Sequence, residues 1–174
     1  EVGRSQGGNN NTWCQDSPLG WMVWNEDHCD LELKLFLTRL LKLRQALPQL
    51  FNPLIPARET TKKHPQDQTD LWRQWHGVEL SKPDWAAWSR SIATSLHMGS
   101  HGALIWMGFN AHKEALNFEL PVPASPWTRV IDTSLPSPKD LPEQPVPFRG
   151  VTIPMQSRSF VLLVAQDEVS NLRL

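Results

Sequence analysis

The chain reads as mainly β: an antiparallel β-sandwich preceded by an irregular loop and one long helix. Three observations carry that reading. Apolar residues recur at every second position in short runs from residue 71 onward, a helical period occupies residues 30–47, and residues 1–20 show neither period. The 174 residues suffice for one ordinary domain with an element or two attached.

Residues 1–20 are rich in Gly, Asn and Ser, with Asn9, Asn10 and Asn11 in a row. Gly and Asn tolerate left-handed backbone, so this is a loop able to wrap round a ligand or a neighbouring wall. Residues 30–47 predict a helix with Asp27 or Asp30 as N-cap. Leu33, Phe36, Leu37, Leu40, Leu41, Leu43 and Leu47 form its apolar stripe, and Pro48 stops it. Residues 48–70 carry Pro48, Pro53, Pro56 and Pro65 among polar residues, a connector and the best domain boundary.

Strands are predicted at Leu71–Trp75, at 91–98, at Leu116–Leu120, at Trp127–Ile131 and at 151–156. Ala103–Phe109 and Phe160–Ala165 are almost continuously apolar and read as central strands. About seven short strands split by turn signals form the pattern of an antiparallel sandwich. Asp132–Pro147 is too long and Pro-rich for a hairpin and reads as an ordered surface loop.

Composition narrows the function. Seventeen basic against eighteen acidic residues leave a net charge of −1, which disfavours a nucleic-acid partner. No apolar run approaches the roughly 20 residues that span a bilayer, so no membrane partner is expected. Cys14 and Cys29 have no Cys or His at metal-ligand spacing; no metal or cofactor is expected, and both read as reduced thiols in a cytosol-like compartment. The N-terminus has neither an initiator Met nor the layout of a signal peptide, and begins as though cut from something longer. Nine Trp and six Phe with no Tyr favour carbohydrate, since an indole stacks on a sugar face, although most Trp in any protein fill cores.

The opening Glu1-Val-Gly-Arg-Ser-Gln-Gly-Gly-Asn-Asn-Asn-Thr-Trp-Cys-Gln-Asp16 resembles the segment after barrel strand eight in isoamylase and glycogen debranching enzymes, where G-D-E-x-x-R-T-Q-x-G-N-N-N-x-Y-C-Q-D is usual. Ser5 stands in place of Thr and Trp13 in place of Tyr. Leu35–Arg44 looks like that family's last barrel helix. Trp75-His-Gly77, Pro83-Asp-Trp85 and Ser89–Ala93 resemble the entry to its C-terminal domain. Phe109-Asn-Ala-His112 and Ser157-Arg-Ser-Phe160 look like the middle and closing strands of its sandwich.

The resemblance implies that residues 1–60 are the tail of a catalytic (β/α)8 barrel of the alpha-amylase superfamily, and residues 61–174 its C-terminal β-sandwich. It implies an α-glucan partner (glycogen, amylopectin or limit dextrin) and a cytoplasmic or plastid location. Retaining glycosidases work with two carboxylates about 5–5.5 Å apart. In this superfamily they follow barrel strands four and five, with a further His-Asp pair after strand seven. All belong upstream of the matched segment, and no His-Asp dipeptide occurs here, so no catalytic residue is assigned and the chain is expected to be silent by itself.

Loops after barrel strands face the active site. By resemblance Arg4, Gln6, Asn9, Asn10, Asn11 and Trp13 therefore lie on the substrate side, where amides and an indole suit sugar. The competing reading is that Asn9–Asn11 satisfy their own backbone and Trp13 plugs the loop against the barrel. His76 reads as a turn or packing residue, and Trp85 and Trp88 as strand-entry packing ahead of an accessory sugar platform. Besides the enzyme fragment, the sandwich itself suits a carbohydrate-binding module or a structural cap. The stripe Leu33, Phe36, Leu37, Leu40 and Leu41 is expected to be orphaned, and the chain to self-associate through it.

Overall fold

The structure is a computed structural model describing residues 3, 5–23, 29–48, 71–98, 102–169 and 173–174. Helix α1 spans Leu31–Ala46. Strands follow at β1 (Leu71–His76), β2 (Ser91–Met98), β3 (Ala103–Asn110), β4 (Leu116–Glu119), β5 (Trp127–Asp132), β6 (Val146–Pro147), β7 (Thr152–Met155) and β8 (Ser159–Ala165), then a short helix α2 (Gln166–Val169). The connector, from residue 49 to residue 70, and the boundary expected there lie outside the described residues.

Six strands make one antiparallel sheet in the order β1-β2-β3-β8-β5-β6, and β4 with β7 makes a second of two strands. The apolar runs of β3 and β8 occupy its middle and pair with each other from Ile105–Val164 to Asn110–Ser159, as strands buried on both faces should. The pleat then divides their side chains. On one face Trp106, Val161 and Leu163 meet Phe118 of β4 and Ile153 and Met155 of β7. On the other, Ile105, Leu162 and Val164 meet Leu96, Val130, Leu141, Leu43 and Leu47. Trp106 folds back over Gly108 on its own strand; a Cβ at Gly108 would collide with that indole and with the Met155 sulfur, 2.6 Å away.

The second face is covered in part by α1, alongside Leu141, Val169 and Leu174. Asp30 caps this helix, its side chain accepting from the Leu33 N–H at 2.9 Å. Leu43 and Leu47 are each 1% exposed, and Phe36 and Leu40 pack against the same core. The expectation of an orphaned stripe is thus corrected for Phe36 and Leu40. Positions 36, 40, 43 and 47 follow steps of four, three and four, one side of a 3.6-residue helix, and they close on the sheet. Each buried Leu there contributes roughly 1.5–3 kcal/mol. The neighbouring row remains open, with Leu33 37% and Leu41 57% exposed. The Arg39 guanidinium fixes the helix to the 132–147 loop, donating to the carbonyls of Leu141 at 2.8 Å and Pro138 at 3.3 Å.

That loop is ordered, as its sequence predicts. Leu141 is fully buried and the Asp132 N–H donates to the Asp140 carbonyl at 2.8 Å. Strand β6, paired with Thr128 and Arg129, was not foreseen within it. Proline has no N–H to donate, and a two-residue pairing leaves no period to read.

Candidate functional site

The structure brings Gln6, Asn9, Asn10, Asn11 and Trp13 into one loop, while Arg4 lies outside the described residues. Gly7 and Gly8 take the left-handed φ of 59° and 87° that let the chain reverse. The Asn9 N–H donates to the Gln6 carbonyl at 3.1 Å, and the Asn9 amide donates to Gln15 Oε1 at 3.1 Å. Asn9 Oδ1 accepts from the Asn11 N–H at 2.9 Å, and Asn11 Oδ1 from the Trp13 N–H at 3.3 Å. Asn9 and Asn11 therefore hold the loop's shape with the same oxygens a sugar would use. Asn10 is exposed and Trp13 is 92% exposed, so these two present their side chains outward.

The two sandwich motifs prove to be one clasp. Phe109 and Asn110 pair with Phe160 and Ser159 across β3 and β8. The Asn110 side chain, 1% exposed, donates to the carbonyls of Glu114 at 3.0 Å, Met155 at 3.3 Å and Gln156 at 2.9 Å. Its Oδ1 accepts from the His112 N–H at 3.0 Å, and the Arg158 N–H donates to the His112 carbonyl at 3.2 Å. One amide thus joins the end of β3 to the turn between β7 and β8.

His76, from Trp75-His-Gly77, is a buried packing residue at 1% exposure. Its Nδ1 accepts from the Ser81 N–H at 2.9 Å, which leaves the proton on Nε2 to donate to Ser95 Oγ at 2.7 Å. The Ser95 hydroxyl then donates to Nε2 of His97 at 2.7 Å, and His97 stacks on Trp72 at 4.2 Å. Burial, with a smaller repulsion from His97, lowers the His76 pKa from 6.5 to about 4. A neutral, fully bonded imidazole inside a sheet positions strands and moves no proton.

The tryptophans divide. Trp72, Trp106 and Trp127 are buried, while Trp21, Trp85 and Trp88 are 56%, 65% and 80% exposed. The packing reading holds in part for Trp85, which meets Trp75 edge-on at 5.7 Å and 76°, and is corrected for Trp88, whose side chain is outward. Beside Trp85 opens a hollow of about 380 Å³ lined by Asp84, Ser89, Arg90, Ile92 and Phe109 among others. Phe109 and Arg90 escaped the sequence reading. Phe109 lies in an apolar run whose other members are mostly buried, and Arg90 stands between periodic segments. Among the described residues no cluster of three or more His, Cys, Asp or Glu is placed to hold a metal ion.

An unequal antiparallel sandwich locked by the Phe109–His112 and Ser157–Phe160 clasp defines the class, a mainly β domain of two antiparallel sheets. The particular family follows from comparison. Residues 74–157 match the family model described as isoamylase 1-3, C-terminal, to which this β-domain is similar. The chain is 28% identical to "Isoamylase 1, chloroplastic" of Oryza sativa subsp. japonica, over 97% of its own length and 21% of the relative's. It is 33% identical to "Isoamylase 1, chloroplastic" of Arabidopsis thaliana, over 92% of this chain and 19% of that one. The "Glycogen debranching enzyme" of Pectobacterium atrosepticum is 32% identical over 58% of this chain and 16% of its own length. The chain therefore spans about a fifth of the length of the chloroplastic relatives it matches. No helix among the described residues is long and apolar enough to cross a membrane.

Proposed function

We propose that this chain is the C-terminal portion of an α-1,6-glucan debranching glycoside hydrolase of glycogen or starch metabolism. It contributes a substrate-side loop carrying Arg4, Gln6, Asn9, Asn10, Asn11 and Trp13, together with an accessory sandwich. The observation that carries the reading is that similarity to rice isoamylase 1 runs through 97% of the chain, loop and helix included, and not through the β-domain alone.

The physical surface agrees. Trp13, Trp21, Val23, Leu31 and Leu41 are 51% or more exposed and cluster in residues 13–41, the part expected to lie against a barrel. Within the loop, Asn9 and Asn11 hold the backbone while Asn10 and Trp13 face the glucan. Hydrolysis requires two closely spaced carboxylates. None of these loop residues supplies one, so the chain by itself is catalytically silent. Its compartment is the cytoplasm, or the plastid stroma in a plant.

The test is a chimera in which these 174 residues replace the matching segment of rice isoamylase 1. Reducing-sugar release from amylopectin and glycogen is expected from the chimera and not from this chain alone. A chimera that folds without debranching overturns the proposal. Release by an independently purified batch of the isolated chain overturns its catalytic silence.

A further inference from the structure

The exposed aromatic surface of the β-domain gathers at one end of the large sheet. Trp85 and Trp88 lie on a turn between β1 and β2, closed by the Ser89 N–H donating to the Ala86 carbonyl at 2.9 Å. Asp84 Oδ1 braces the same turn, accepting from the Ala86 N–H at 3.0 Å. Trp85 leans on Trp75 of β1, and the Arg73 guanidinium lies 5.8 Å from the Trp75 ring. The turn is therefore anchored to a strand that is bonded along its whole length to β2. Rings this exposed, on a support this firm, are already arranged for a partner.

The hollow lined by Trp85, on the turn that also carries Trp88, says what partner. Ile92 of β2 and Phe109 of β3, the latter 43% exposed and 4.8 Å from Phe160, give it an apolar part. Asp84, Ser89 and Arg90 give it a polar part. Among the described residues the Arg90 guanidinium has no partner, and Asp84 uses one carboxylate oxygen within its own turn. A wholly apolar partner would bury this donor and this acceptor unpaired, at high cost. A pyranose ring matches both parts: its C–H face stacks on an indole, and each hydroxyl at its rim both donates and accepts. The volume of about 380 Å³ falls within the range of small-ligand sites.

We infer that Trp85, Trp88 and the adjoining hollow form an α-glucan-binding site on the sandwich, built from elements other than the loop of residues 5–23. The choice of α-glucan rests on the debranching function proposed above. The site holds substrate without cutting it. Its contribution grows with chain length, because a second point of attachment raises the local concentration of glucan at the first.

Electrophoresis of the full chain through gels containing glycogen, with maltoheptaose as soluble competitor, tests the inference. Glycogen is expected to retard the chain and maltoheptaose to relieve the retardation. Trp85→Ala and Trp88→Ala should each weaken binding roughly five- to tenfold, the size of one lost aromatic contact, and exposed Val151→Ala should not. Trp88→Ala keeps the test independent of folding, since Trp88 is 80% exposed. An unretarded parent chain overturns the inference, as does retardation that survives both substitutions. Sedimentation showing the two indoles engaged with a second copy of the chain also overturns it. In the rice chimera the two readings separate. An inactive chimera ends the debranching proposal, whereas an active one whose rate on glycogen ignores both substitutions ends this inference alone.

Discussion

The β-domain and the helix-loop segment before it use the same kinds of residue to different ends. In the β-domain the large side chains are spent on each other: Trp106 stands edge-on to Phe118 at 5.9 Å, and both are fully buried. Among the described residues from 5 to 48, Leu43 and Leu47 are the buried hydrophobics, while Trp13, Leu19, Trp21, Met22, Val23, Leu31, Leu33, Leu35 and Leu41 are exposed. The first region closes a core of its own between its two sheets and leaves Trp85 and Trp88 outward at one end. The second is half satisfied, closed against the sheet along one row of α1 and open along the next. A surface of that kind suits a segment that bridges two bodies, with one side docked on the sandwich and the other offered outward.

The sharpest way to break this comparison is to treat the two rows of α1 alike. Leu43→Ala should destabilise the chain by about 3 kcal/mol, within the range for emptying a buried leucine site. Urea unfolding followed by circular dichroism measures it. A change under about 0.5 kcal/mol would show that the helix does not rest on the sheet in solution.

Asn110→Ala comes next. It removes the donor shared by three carbonyls and the acceptor of the His112 N–H. Leaving such groups buried and unbonded costs about 2–3 kcal/mol. The same denaturation curves report it. Asn110→Asp should lose nearly as much, since a carboxylate cannot donate to those carbonyls. An unaltered Asn110→Ala variant would mean that the clasp does not hold the β7–β8 turn.

Much of the β-domain was legible because its signal is local. Period-2 alternation located β2, β4 and β7, and unbroken apolar runs located β3 and β8, since strand burial follows directly from the pleat. The helix was legible as a helix but not in its orientation. Leucine occurs at positions 31, 33, 35, 37, 40, 41, 43 and 47, so apolar residues surround much of the axis and several stripes can be drawn. Only tertiary contact selects Phe36, Leu40, Leu43 and Leu47. The loop was legible in its chemistry, since Asn and Trp suit sugar, but not in how its atoms are used. Nothing in three consecutive asparagines says that the oxygens of Asn9 and Asn11 are taken by backbone N–H groups while Asn10 is left outward. Trp85 and Trp88 carried no burial signal because the turn that bears them has no period.

An effect confined to low pH follows from His76. Its pKa is lowered from 6.5 to about 4, so the unfolded chain takes up a proton that the folded chain resists. Stability from this residue is complete above about pH 6.5 and is lost as the pH falls from there toward 4, by on the order of 3 kcal/mol. Melting temperatures across that window should fall, and the fall should flatten in His76→Gln, which cannot take up a proton. A pH slope unchanged by the substitution would show that other groups govern it.

The smallest change in stability, and the one that speaks most directly to the open row, is expected from Leu33→Ser with Leu41→Ser. These side chains are 37% and 57% exposed, so replacing them removes little contact and should alter stability by less than about 0.5 kcal/mol each. Their effect belongs to association. Leu33 and Leu41 lie on α1 near other exposed apolar residues in sequence, Met22, Val23 and Leu31, and apolar surface of that extent draws a partner. The parent chain should therefore self-associate and bind hydrophobic dye, and the double variant should do less of both at unchanged thermal stability. In the rice chimera the same residues face the body that the segment is proposed to bridge, so dye binding should already be low and the serine variant should loosen the joint. Sedimentation and dye fluorescence on the isolated chain, with limited proteolysis of the chimera, measure both sides. A monomeric parent chain without dye binding would mean that the open row is closed by this chain itself, and that the segment offers no face to a second body.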